Sequence, residues 1–312
     1  MSDPSRPVAP FLPAEIVAKI LLSVHPQNDS FKIQKCDYRI GDYKEFALLS
    51  RISQCWKVEG QRRLFETINI RSSKQLVNLV QAVEAGLGKL ILSLTIQIYQ
   101  AAFASPEDSH LIVTILRSVS NLKIFSLRHP QLPDLNEDDS NFMSVNLKLP
   151  HLIILHISPE RDGEWSRLRL INEPIINAAP NLKGMLIENF SEYEGPPWTA
   201  ELPALKRLVL DGPAMCVLKG EVFNVAKFKG LESLYIHSTD PLDFFLDFFH
   251  ATGATIKELT THSHSIVSPE IWNTLTSLES LEVSNSTVHD LSTLPPSITS
   301  FKIHFFWSSG WS

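Results

Sequence analysis

The sequence predicts an α/β chain in which a small all-helical domain precedes a repeat solenoid with a curved parallel sheet. Three observations carry this. A six-residue pattern, apolar-x-x-apolar-x-apolar, recurs ten times between Phe65 and Ile303. Its successive starts lie 26, 31, 30, 30, 23, 26, 25, 22 and 20 residues apart, a period that holds one strand and one return segment. Ahead of it, residues 11–66 place apolar side chains at helical spacing rather than in alternation.

Composition sets the outer bounds. The chain has 312 residues, 44% of them apolar, which is enough for a sizeable core. Twenty-eight basic and 34 acidic residues give a net charge of −6, so there is no global attraction to phosphate, and nucleic acid is not expected as a partner. Cys36, Cys55 and Cys216 are odd in number and far apart. They make no CxxC, zinc set or disulfide framework, which fits a reducing compartment. The longest apolar run, Phe244 to Phe249, is short and broken by Asp247, so no membrane contact is expected. The opening MSDPSRPVAPFLP has no basic region followed by an apolar one. It reads as no secretory signal, and a cytoplasmic and/or nuclear location is expected. The N-x-[ST] matches at Asn28, Asn189 and Asn285 then read as chance.

The motifs of common enzymes are missing: there is no GxGxxG, GxSxG, HExxH or GxxxxGK[ST]. Gly86-Leu87-Gly88-Lys89 reads as a helix C-cap before a strand. His262 and His264 pair closely, but no carboxylate or cysteine follows at ligand spacing. The reading is therefore a non-enzyme with no metal and no cofactor. A hydrolase or transferase whose site these motifs do not reveal is the outlying alternative.

Residues 1–10 hold three prolines and read as a disordered tail. The helical domain starts at Phe11-Leu12-Pro13. Pro13 suits the first turn, where its missing N–H costs nothing, and Glu15 suits the helix dipole there. Ile16, Ile20 and Val24 repeat at i, i+4, i+8 with Val17 and Leu21 beside them, a broad apolar stripe. A polar connector precedes a second helix over Phe46–Trp56, where Leu49, Ile52 and Trp56 fall at i, i+3, i+7. A third turn or helix is expected over Val58–Phe65, with Arg62 and Arg63 exposed.

Leu12-Pro13-x-Glu15-Ile16-x3-Ile20-Leu21, then Leu49-Ser50-x-Ile52-x3-Trp56 and Leu64-Phe65, resembles an F-box, over about 55 of the 312 residues. The connector from Ser23 to Lys44 is longer than usual in that family. The resemblance implies that Leu12, Pro13, Ile16, Ile20, Leu21, Leu49, Ile52 and Trp56 dock the Skp1 adaptor. Without it, the same stripes describe a helical cap over the first strand.

Residues 67–312 form the repeat array. Clear copies begin at Leu122, Leu152, Leu182, Leu205, Leu231 and Leu278. Ile91, Ile298 and Phe65 begin looser ones, and the copy from Ile256 ends on Thr261. A Pro or Asn often precedes the first apolar residue, as at Asn121, Pro150, Asn181 and Pro203, a turn signal ahead of a short strand. Amphipathic segments over Lys74–Glu84, Ser109–Val119 and Pro241–His250 supply the return path. One such unit cannot bury its own face, so units stack. A doubly wound sheet would also alternate strands and helices, but the short period and missing glycine-rich phosphate turn argue against it.

The array resembles leucine-rich repeats over about 80 per cent of the chain, without the family's regular asparagine ladder. An F-box followed by an irregular leucine-rich-repeat solenoid resembles the large F-box family of fungi. The resemblance implies the substrate-recognition subunit of an SCF-type (Skp1–cullin–F-box) E3 ubiquitin ligase. Its partners would be Skp1, through it a cullin–RING ligase, and an unknown target protein. The alternative is a non-ubiquitin interaction scaffold with a degenerate F-box-like cap.

Strand alternation picks the concave face. Leu186, Val209 and Tyr235 are expected to form an exposed apolar strip, with Glu188 and Asp211 alongside and Arg207 on the same face, as a target-binding surface. Exposed apolar residues on short strands are also ordinary. His237 and His262 are expected as a solvated pair. The acidic loop Gln131–Asn141 and the Glu188–Glu201 segment with Trp198 are expected either to extend that surface or to serve as spacers.

Overall fold

The computed structural model describes residues 54–97, 106–128, 147–158, 165–188, 197–212, 215–237, 241–262, 267–284 and 294–304. The chain divides into two compact units, 1–69 and 70–312. In the first, helix α1 (Gln54–Glu66) carries Trp56 and runs on through the expected third segment as one element. Arg62 and Arg63 are not free solvent groups as expected. Both pair with the buried Glu66 in the last turn, Arg63 at 2.7 Å. Leu12, Pro13, Ile16, Ile20, Leu21, Leu49 and Ile52, with the tail, lie outside the described residues.

Ten strands make one sheet in strict chain order. They are β1 (Thr67–Ile70), β2 (Ser93–Gln97), β3 (Ile124–Arg128), β4 (Ile154–Ser158) and β5 (Gly184–Glu188). Then follow β6 (Arg207–Asp211), β7 (Ser233–His237), β8 (Glu258–Thr261), β9 (Ser280–Ser284) and β10 (Ser300–His304). Every pairing from β2 to β10 is parallel. Each strand opens two residues after the first apolar residue of its sequence repeat.

The register is built by the backbone. A turn closes ahead of each strand from β2 to β10 with an N–H donating to the carbonyl three residues back, as from Leu122 to Val119, Leu182 to Ala179 and Ile256 to Gly253. One carbonyl then accepts two N–H groups from the next repeat: Leu92 from Lys123 and Ile124, Lys183 from Lys206 and Arg207, Glu279 from Thr299 and Ser300. Eight such carbonyls run along the array, from Leu92 to Glu279. In place of the missing asparagine ladder, Asn121 and Asn181 each donate to a carbonyl of the preceding repeat at 2.8 Å, and Thr255 does the same from its hydroxyl.

The three apolar columns of the pattern are the core. Leu122, Phe125 and Leu127 are buried, as are Leu205, Leu208 and Leu210, and so on through the stack. In register, Phe125 sits between Leu94 and Leu155, and Leu234 between Leu208 and Leu259. The early repeats hold real return helices: α2 (Ser73–Glu84), α3 (Pro106–Ser118) and α4 (Trp165–Asn177). Ser72 caps α2 by accepting the Gln75 N–H. Gly86 follows α2 in the left-handed region at φ 88°, and a Cβ on Gly88 would collide with the Ser118 carbonyl, so this pair is a turn and a close approach.

Later repeats, of 20–26 residues, form only short return segments, even though the 26-residue repeat from Phe65 holds the 12 residues of α2. They return through α5 (Met215–Leu218), the 3₁₀ segments Val225–Phe228 and Leu242–Phe245, α6 (Leu246–Thr252) and α7 (Pro269–Thr274). Aromatic volume fills the space that helices would occupy. Trp198, Phe223, Phe228, Phe248 and Phe249 form a chain of tilted or edge-on ring contacts at 4.9–5.8 Å. No helix among the described residues is long and apolar enough to cross a membrane.

Candidate functional site

The concave side chains stand in three columns, and they divide the face into two halves. In the middle column Thr95, Ser126, His156, Leu186 and Val209 are buried, whereas Tyr235, Thr260 and Glu282 are partly exposed. The expected exposed strip is therefore corrected. Leu186, Val209 and Tyr235 do align across β5, β6 and β7, but Leu186 is 5% and Val209 3% exposed. Parallel strands about 4.8 Å apart leave a central side chain little free surface when a bulky neighbour stands on each side. Leu186 has His156 and Val209 there; Val209 has Leu186 and Tyr235.

The first half is a closed polar network. Arg128 Nε donates to His156 Nδ1 at 3.2 Å, and Ser126 Oγ lies 3.0 Å from the same nitrogen. His156 Nε2 lies 3.1 Å from Glu188 Oε2, and Arg128 Nη2 lies 3.8 Å from Glu188 Oε1. An arginine N–H can only donate, so Nδ1 accepts and the ring proton sits on Nε2, facing Glu188. Burial alone would raise the Glu188 carboxyl. The hydrogen bond and charge of His156, then the charge of Arg128, outweigh it and hold the group down to about 2. The charge of His156 enters only when the ring is protonated, whereas the Nε2 hydrogen bond and the charge of Arg128 act to lower the group in either form.

Ser126, His156 and Glu188 stand in the order of a nucleophile, a base and an acid. They do not work as one. Ser126 and His156 are buried, and Arg128 already fills the lone pair that a base would use to take the serine proton. The network is packing. The sequence placed Glu188 on this face but did not show its link to His156 and Arg128, because the contacts run diagonally between columns; opposite charges on alternate strands were the available signal.

The second half is open. Asp211 accepts from His237 Nδ1 at 2.7 Å, and Asp211 sits in register between Glu188 and His237. The His262 ring meets Tyr235 at 5.6 Å and His237 at 5.7 Å, both edge-on, so the two histidines are tied into a cluster instead of merely solvated. Burial first, and then the charges of Asp211 and Glu282, raise the Tyr235 phenol, which stays a neutral donor. Arg207 lies in the flanking column between Gly184 and Ser233 and is half-buried. Among the described residues no group of three or more His, Cys, Asp or Glu is placed to hold a metal ion.

The Trp198 segment is not a free binding loop. Trp198 is buried and bridges to Phe223. Buried Glu173 on α4 accepts from Thr199 and, at 3.1 Å, from the Ala200 N–H, while Arg169 holds its other oxygen at 2.8 Å. Burial would raise the Glu173 carboxyl, but the bonds from Thr199 and Arg169 prevail and lower it. From the other side Lys227 donates to the carbonyls of Thr199 and Ala200 at 2.6 and 2.7 Å. Gln131–Asn141 lies outside the described residues.

Ten parallel strands in chain order, with the apolar pattern turned inward and one return segment per strand, define the architecture. The fold is a leucine-rich-repeat-type solenoid. No family model matches the chain, and no curated protein matches it. Among solved structures it is similar to an internalin from Listeria monocytogenes, at 14% identity and a TM-score of 0.30, covering 71% of this chain and 78% of that one.

Proposed function

We propose that this chain is the substrate-recognition subunit of an SCF-type ubiquitin ligase, working in the cytoplasm or nucleus. Residues 11–66 dock Skp1, and through it a cullin–RING ligase, by the apolar stripe of Leu12, Pro13, Ile16, Ile20, Leu21, Leu49, Ile52 and Trp56. The F-box resemblance of those residues supports this half. The solenoid holds the target protein. The observation that carries this second half is the open end of the concave face, where Asp211, Tyr235 and His237 are accessible on one rigid sheet.

In this reading Tyr235 supplies the aromatic anchor and Asp211 orients a basic residue of the target, with Arg207 at the flank, while Glu188 is held in the closed network beside them. Leu186 and Val209 form the buried floor that fixes their positions. The chain supplies no chemistry of its own.

Co-expression with Skp1 tests the first half. Wild-type chain should retain Skp1 through purification, and the double variant Leu12→Asp, Ile16→Asp should lose it while the solenoid stays folded. Full retention by the double variant overturns the docking face. No retention by the wild type leaves an interaction scaffold.

A further inference from the structure

The edge of the solenoid at which the strands begin is charged unevenly. The turn and strand-entry residues of the five repeats that lead into β2–β6 are 86–93, 117–124, 147–154, 177–184 and 200–207. They hold Lys89, Arg117, Lys123, Lys148, Lys183, Lys206 and Arg207 against one acid, Glu201, which pairs with Lys227 at 3.3 Å. The corresponding residues of the next four repeats, 226–233, 251–258, 273–280 and 293–300, hold Lys227, Lys229 and Lys257 against Glu232, Glu258 and Glu279. A chain of net charge −6 has thus gathered a cationic strip on one half of one edge.

The geometry makes the strip continuous. Lys123, Lys183 and Lys206 occupy one column, since the carbonyl of Lys123 accepts from Ile153, that of Ile153 from Lys183 and that of Lys183 from Lys206. Neighbouring strands are about 4.8 Å apart, so Lys123 and Lys183 are roughly 10 Å apart and Lys183 and Lys206 about half that. These spacings are within about one Debye length at 0.1 M salt, so the charges act as a single field. All five lysines are exposed. Lys206 is paired with Glu232 at 2.7 Å, where the strip ends. No carboxylate among the described residues pairs with Lys89, Lys123, Lys148 or Lys183.

We infer that this strand-entry edge, from β2 to β6, is a second docking surface, and that its partner is an acidic protein segment. Carboxylates two turns apart on a helix lie about 11 Å from one another, near the Lys123–Lys183 spacing, and those three or four residues apart lie about 5–6 Å from one another, near the Lys183–Lys206 spacing. Single-stranded nucleic acid is the poorer fit. These spans contain no Tyr, Trp or Phe, and His151 is their one aromatic side chain, so bases would find no continuous stacking platform. The surface is distinct from the concave face and does not depend on what binds there.

The test uses the full chain and a fluorescent 20-residue poly-glutamate peptide, read by anisotropy. One variant carries Lys89→Glu, Lys123→Glu, Lys148→Glu and Lys183→Glu. A charge-matched control carries Lys219→Glu, Lys229→Glu, Lys257→Glu and Lys302→Glu. Wild type should bind, with affinity falling as salt rises; the edge variant should weaken by about tenfold or more and the control by less than about threefold. Circular dichroism checks folding, and the matching fourfold Lys→Gln variant replaces the first if that one fails to fold. Equal binding by wild type and edge variant, or equal loss in the control, overturns the proposal. So does tighter binding of an oligothymidylate of equal charge than of poly-glutamate, lost in the edge variant, which would assign the edge to nucleic acid.

Discussion

Phe244 and Phe245 are adjacent, lie in the same 3₁₀ segment and differ in one respect: Phe244 is 56% exposed and Phe245 1%. Truncating each to alanine removes the same atoms, so the difference in cost isolates burial. For Phe245 the change loses the full transfer of a buried ring and leaves a cavity that a tightly stacked repeat cannot collapse. Together these should cost about 3–5 kcal/mol. For Phe244 less than half of the side chain's area is removed from water. Full burial of such a residue is worth about 1.5–3 kcal/mol, so its share is about 1 kcal/mol, with no cavity. Urea denaturation of the two variants and wild type, with matched m-values, measures both. The expected gap is about 2–4 kcal/mol. Equal losses, or a larger loss at Phe244, would refute the packing of the later repeats and the claim that aromatic volume there replaces helices.

Three further outcomes follow from the same structure. Leu208→Ala and Leu234→Ala, both buried on adjacent strands, should each cost about 2–5 kcal/mol, and a loss within about 0.5 kcal/mol would mean a wrong register. Because Glu188 is held down to about 2 when folded, below its unfolded value, its stabilisation is complete above about pH 4.5 and is lost as pH falls toward 2. Glu188→Gln should therefore flatten the stability–pH curve between those limits, and an unchanged curve would remove the network from the account. Tyr235→Ala with Asp211→Lys should shorten a proximity-labelling list of captured proteins while leaving Skp1 retention intact. Leu186→Ala should instead lower stability, and an unchanged list for the double variant would place recognition elsewhere.

The fold was legible because its signal is local and repeated. Each six-residue copy carries three inward side chains, and even the degenerate copy ending in Thr261 takes a strand whose last inward position is that buried threonine. Alternation also identified which residues share the concave face. It could not give exposure, which depends on what stands beside a residue on the neighbouring strands. That is why Leu186 and Val209 read as surface and are buried. Trp198 misled for a related reason. A stretch with Pro196, Pro197 and several acids looks like a free loop, and the groups that pin it, Glu173 and Lys227, come from repeats on either side, 26–28 residues away. The single helix Gln54–Glu66 was read as two because Trp56 and Leu64 belong to different motifs.

The account's central claim is that the helical N-terminal residues deliver this solenoid to Skp1. The purified 312-residue chain, 35.1 kDa, mixed with equimolar Skp1 and run on size-exclusion chromatography with in-line light scattering, tests it most directly. The account predicts one peak with the summed mass of a 1:1 complex. Two separate peaks at the individual masses, with the chain shown to be folded, would contradict it.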